Sequence, residues 1–96
     1  MMRWQLRPEA RRDLEKIRQY TRNTWGALQA RAYLRELEGA FRKIAENPKI
    51  GRPHAGTTYV YRRISAGSHV IFFRVNDDTL LIVRVLHERM DFDRHL

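Results

Sequence analysis

From Pro8 onward, apolar side chains recur every three or four residues: Ala10, Leu14, Ile17 and then Tyr20 or Thr21. That period predicts an amphipathic helix. Pro8 suits a first helical turn, and Glu9 and Asp13 favour the positive end of the helix dipole. Gly26, after Asn23-Thr24-Trp25, is a stop signal. A second stripe of Ala30, Tyr33, Leu37, Ala40, Phe41 and Ile44 predicts a helix over about 27–46, ended by Asn47-Pro48. The short link between the two implies an antiparallel helical hairpin. Ahead of Pro8, "RWQL" (3–6) reads as a short strand. Behind the hairpin, "NPKIGRPHAGTT" (47–58) carries two prolines and two glycines and reads as a loop. Three strands follow, over 59–65, 69–75 and 79–87, turned at "AGS" and "NDD". The expected fold class is α+β in the order β-α-α-β-β-β: one domain over 1–96, an antiparallel sheet with the helical hairpin packed on one face.

The last two strands do not alternate cleanly between apolar and polar. "HVIFFRV" and "TLLIVRVL" place apolar side chains on both faces. One face takes from Val70, Phe72, Leu81, Val83 and Val85, and the other from Ile71, Phe73, Leu80, Ile82 and Leu86, according to the turn register. A sheet covered on one side should be polar on the other. Two helices cover one side, so the second face needs another cover. A partner chain is the expected one, with the 47–58 loop and the C-terminal tail as the alternative.

Charge adds a second expectation. The chain is 96 residues long with a formal net charge of +8, and 16 of its 19 basic residues are arginine. The excess is spread along the sequence and forms no basic tail. Arginine suits planar contacts to carboxylates and phosphates, so the charge points to a polyanionic partner, nucleic acid or an acidic protein segment. There is no cysteine, hence no disulfide framework and no thiolate metal site, which fits a cytoplasmic setting. The N-terminus lacks the apolar core of a signal peptide, and no apolar run is long enough for a membrane helix.

Candidate chemistry is sparse. The histidines, at 54, 69, 87 and 95, show no metal-ligand spacing on one element, so neither a metal nor another cofactor is expected. No nucleophile elbow, phosphate-binding glycine loop or paired catalytic carboxylates stand out. What remains is a set of basic residues on or at the ends of adjacent strands: Arg62, Arg63, Arg74, Arg84 and Arg89, with His69 and His87 nearby. A metal-free ribonuclease needs a base for the 2′-hydroxyl, a cation for the phosphate and an acid for the leaving oxygen. His87 could serve as acid or base. It could equally close the strand by bonding a backbone group.

The stretches "PEARRDLEKIRQY", "WGALQARAYLRELEGAFRKIAENPKIGRP", "YRRISAGSHVIFFRV" and "IVRVLHERMD" together resemble the ParE branch of the RelE/ParE toxin superfamily over about residues 5–91. The specific pieces are Asp13-Leu14 with Ile17, Trp25-Gly26, Asn47-Pro48 with Gly51-Arg52, Arg62-Arg63, Gly67-Ser68-His69 and Val85-Leu86-His87. The resemblance implies a toxin of a type II toxin–antitoxin system that poisons DNA gyrase. It implies neutralisation by a ParD-type antitoxin, through which alone the complex would touch operator DNA. The RelE branch shares the fold but cleaves messenger RNA on the ribosome, using strand-borne basic groups and a tyrosine, or a histidine–tyrosine pair, at the end of the last strand. Here Val70-Ile71-Phe72-Phe73 carries no basic group, no tyrosine follows Tyr61, and Glu88 beside His87 would repel a phosphate.

The resulting expectation is a toxin that acts by binding, without chemistry of its own. Arg62, Arg63, Arg74, Arg84, His87 and Arg89 are expected to meet the target. Leu34 and Phe41 of the hairpin, with Ile71, Phe73, Leu80, Ile82 and Leu86 of the sheet, are expected to meet the antitoxin. A ribosome-dependent mRNA endonuclease and a general nucleic-acid-binding domain are the alternatives.

Overall fold

The computed structural model describes residues 2–55 and 60–96. Tyr59, the expected start of the first post-hairpin strand, and Gly56-Thr57-Thr58 of the expected loop lie outside the described residues. The elements run β1 (Arg3–Leu6), α1 (Pro8–Trp25), α2 (Ala27–Glu46), a 3-10 turn (Pro48–Ile50), β2 (Arg52–Ala55), β3 (Val60–Ala66), β4 (His69–Asn76), β5 (Thr79–His87) and a closing 3-10 turn (Phe92–Arg94). The α+β order and the helical hairpin on one face stand as expected. Two features of the sheet differ. Its order is β1-β5-β4-β3-β2, and β1 pairs with β5 in parallel, so the five-stranded sheet is mixed. The segment read as a loop supplies β2, antiparallel to β3 with His54 opposite Tyr61. β2 sits at the sheet edge, where the missing N–H of Pro53 costs no ladder bond.

The hairpin and one face of the sheet form the main core. Ala10 and Ile17 of α1 and Leu37, Phe41, Ile44 and Ala45 of α2 close over Ile71, Phe73, Leu80, Ile82 and Val85. Phe73, Leu80 and Ile82 have no exposed surface. The stripes read from the sequence account for this packing, except that Thr21 takes the buried position and Tyr20 is 69% exposed.

The opposite face has its own small cluster of Val70, Phe72 and Leu86, with Phe92 and Leu96 packed on it. The rings of His54 and Phe92 meet Phe72 edge-on, at 5.3 and 4.9 Å between centroids, and the guanidinium of Arg63 lies 5.8 Å from the Phe92 ring centre. The chain's own edge strand and tail therefore cover this face. Among the described residues, a bare apolar face awaiting a partner, the first expectation, is not found. The register explains one more difference. Phe73 pairs with Ile82 but Phe72 pairs with Arg84, which leaves Val83 as an extra residue in β5. This bulge shifts the alternation by one. Val85 thereby joins the helix side and Leu86 the opposite side, the reverse of the strict period-two assignment.

Candidate functional site

The six residues expected to meet a target do not form one surface. Arg84 lies against Asp13 of α1: its Nε and Nη2 donate to the two carboxylate oxygens at 2.8 and 2.9 Å, and its Nη1 donates to the carbonyl of His95 at 2.7 Å. The same carboxylate accepts the backbone N–H of Val85 at 2.9 Å. β1 pairs with β5 only as far as Ile82, so beyond that point Asp13 takes the place of a neighbouring strand. The hydrogen bond and charge of Asp13 raise the pKa of Arg84 further, so its charge is locked in. Arg62 donates to the carbonyls of Lys49 and Gly51 and fastens the 3-10 turn to β3. Arg63 lies over Phe92. These three guanidinia are held by the fold. Arg74 lines a cavity of about 220 Å³ with Tyr61, Arg84 and His95. Arg89 is exposed in the turn after β5, and His87 is half-buried at the strand's end.

Six of the seven residues expected to meet an antitoxin are core. Phe41, Ile71, Phe73, Leu80 and Ile82 are sealed between the helices and the sheet, and Leu86 lies under Phe92 and Leu96. Burial against the chain's own elements removes them from any docking surface. Leu34 alone borders a groove. That groove runs along the hairpin, about 430 Å³ in volume, with Ala27, Ala30 and Leu34 flanked by Arg22, Arg31 and Arg35, by Arg18, which pairs with Glu15, and by Glu38. The apolar centre and cationic margin suit an amphipathic acidic segment.

A second constellation lies at the other end of the sheet. His69 and His87 are direct cross-strand partners, with ring centroids 5.4 Å apart. The phenol oxygen of Tyr33, on α2, accepts the N–H of Ser68 at 3.1 Å and lies 2.6 Å from His69 Nδ1. Tight packing fixes this geometry. Gly67 has φ +58, and a Cβ there would stand 2.6 Å from the Tyr33 ring. Burial first, and then the charge of His87, lowers the pKa of His69. His87 Nδ1 accepts the N–H of Arg89 at 3.2 Å, the backbone bond weighed for it from the sequence. A tyrosine 36 positions upstream of His69 thus stands beside the two histidines. Sequence reasoning missed Tyr33 because its place in an apolar helical stripe reads as core. No group of three or more His, Cys, Asp or Glu able to hold a metal ion occurs among the described residues.

Comparison with known proteins fits this architecture. The sequence profile of the ParE toxin of type II toxin–antitoxin systems, parDE, matches residues 5–92. The chain belongs to the ParE toxin family. Toxin ParE1 of Mycobacterium tuberculosis is 48% identical over 95 residues, covering 98% of this chain and 97% of its own. Toxin ParE1 of Caulobacter vibrioides is 41% identical over 96 residues, covering 100% of this chain and 99% of its own. Among solved structures, the chromosomal ParDE system of Pseudomonas aeruginosa superposes with a TM-score of 0.78 at 20% identity, over 91% of this chain and 96% of that one. The RelBE2 toxin–antitoxin complex of M. tuberculosis gives 0.63 at 24% identity, over 90% and 96%. At these identities the two superpositions speak to fold. This ParE-family chain is a toxin of a type II toxin–antitoxin system. Among its described residues, no helix is long and apolar enough to cross a membrane.

Proposed function

We propose that this ParE toxin acts by binding DNA gyrase and is neutralised by a ParD-type antitoxin whose acidic, amphipathic segment seats in the hairpin groove. The observation that carries a binding mode is the engagement of the strand arginines. Arg62, Arg63 and Arg84 serve the fold, and a phosphate-cleaving site would need such cations free. Exposed Arg89, beside His87, is the target-facing position this reading favours. In the groove, Leu34 is the apolar anchor and Arg31 and Arg35 set rate and specificity. Purified toxin should trap gyrase with cleaved DNA and leave messenger RNA intact. Arg89→Glu should weaken gyrase inhibition with little change in melting temperature. Arg31→Glu should slow antitoxin association and reduce its salt dependence, while Leu34→Ala should speed dissociation. One observation favours the ribonuclease alternative: Tyr33, His69 and His87 stand together. Codon-positioned cuts in primer extension that vanish in Tyr33→Phe would establish that alternative and end the gyrase reading.

A further inference from the structure

We propose that the cavity bordered by His69 and His87 binds a small phosphate monoester carried on a flat ring, of which a nucleoside monophosphate is the simplest form. Hydrogen bonds orient the two rings. The Tyr33 oxygen accepts the N–H of Ser68 and lies 2.6 Å from His69 Nδ1, with Ser68 Oγ and the Ala66 carbonyl at 3.3 and 3.5 Å. His87 Nδ1 likewise accepts from Arg89. A neutral imidazole that accepts at Nδ1 carries its proton at Nε2. His87 is thus set as an Nε2–H donor, with the His69 ring centroid 5.4 Å from its own. Such a donor suits an anion.

The surroundings agree with an anion. Lys16 reaches the cavity from α1, Gln29 from α2 and Ser68 from the turn before β4; no carboxylate is in the lining, and Glu88, next to His87, stands outside it although its charge reaches His69. The charged groups that act on His69 are few. Burial first, and then the charge of His87, lowers the pKa of His69, while Asp13 and Glu88 pull more weakly the other way. An anion beside His69 would favour its protonated form. The ring follows from the opposite wall. Tyr20 and Trp25 border the cavity and are 69% and 70% exposed. A flat ring stacked on them would bury that surface. The volume, about 560 Å³, lies within the range of small-molecule sites and exceeds what a bare phosphate would fill.

The test is a titration of the full-length toxin with adenosine monophosphate, adenosine and inorganic phosphate, followed by NMR of the histidine rings. Adenosine monophosphate should shift both the His69 and His87 ring signals, raise the apparent pKa of His69 and bind more tightly from about pH 8 to about pH 6. Adenosine and inorganic phosphate should each bind at least about tenfold more weakly. Lys16→Met, on the exposed side of α1, and His87→Gln should each weaken the nucleotide about tenfold or more. Equal binding of adenosine would overturn the anion site, and equal binding of inorganic phosphate would overturn the ring. Unchanged affinity in a folded Lys16→Met variant would place the ligand elsewhere and sink the proposal. None of these readouts depends on gyrase or the antitoxin.

Discussion

Replacing Asp13 with alanine should be among the most damaging single changes in the molecule. The carboxylate accepts two bonds from Arg84 and one from the Val85 N–H, and the side chains of Asp13 and Arg84 are 9% and 19% exposed. Asp13→Ala leaves a cation and a backbone donor without their acceptor. An unpartnered buried N–H costs about 1–3 kcal/mol. Removing one partner of a buried ion pair costs about 3–5 kcal/mol. Arg84 keeps the His95 carbonyl and some contact with water, so the total should fall near 3–4 kcal/mol. For a domain of this size that corresponds to a drop in melting temperature of roughly 12–25 °C. Asp13→Asn keeps an acceptor for Val85 and should lose about half as much. The double variant Asp13→Ala/Arg84→Met should be more stable than Asp13→Ala alone, because it no longer strands the charge. Thermal and urea unfolding of the parent, these three variants and Arg84→Met alone would measure this. An Asp13→Ala variant within about 1 kcal/mol of the parent, or a double variant with simply additive losses, would refute the view that Asp13 substitutes for a strand.

Two further outcomes follow from the same packing. Because the pKa of His69 is lowered from 6.5 in the fold, the unfolded chain takes up that proton first as acid is added. The stability involved is whole above the unfolded value and is lost as pH falls toward the folded one. The melting temperature should thus fall from about pH 7.5 to about pH 5.5, and His69→Gln should flatten that slope; identical slopes would rule out His69 as the source. Gly51→Ala would set a Cβ 2.7 Å from the buried Phe73 ring and 3.0 Å from the Arg63 carbonyl, and should cost about 1–3 kcal/mol in chemical denaturation. Gly39→Ala, with open space in mid-helix, should instead stabilise by about 0.5–1 kcal/mol; the reverse order would contradict the packing described.

The sequence by itself determined the two helices, their hairpin and the three long strands, because each is a local periodicity punctuated by Pro8, Gly26, Asn47-Pro48 and two turns. It also carried family membership, since the ordered pieces from Asp13-Leu14 to Val85-Leu86-His87 are contiguous in the chain. Only the tertiary structure decided the partners of the side chains. The parallel place of β1 joins residues more than 70 positions apart, and no local pattern encodes it. The β5 bulge at Val83 reverses an alternation that looks regular, so Val85 and Leu86 exchange faces. β2 forms despite Pro53 because an edge strand tolerates a missing donor. The strand arginines read alike as a charged row, yet Asp13, two carbonyls and Phe92 take up three of them. Tyr33 meets His69 across 36 positions, and such a meeting depends on how helix and sheet pack, a non-local outcome that neither propensity nor periodicity specifies.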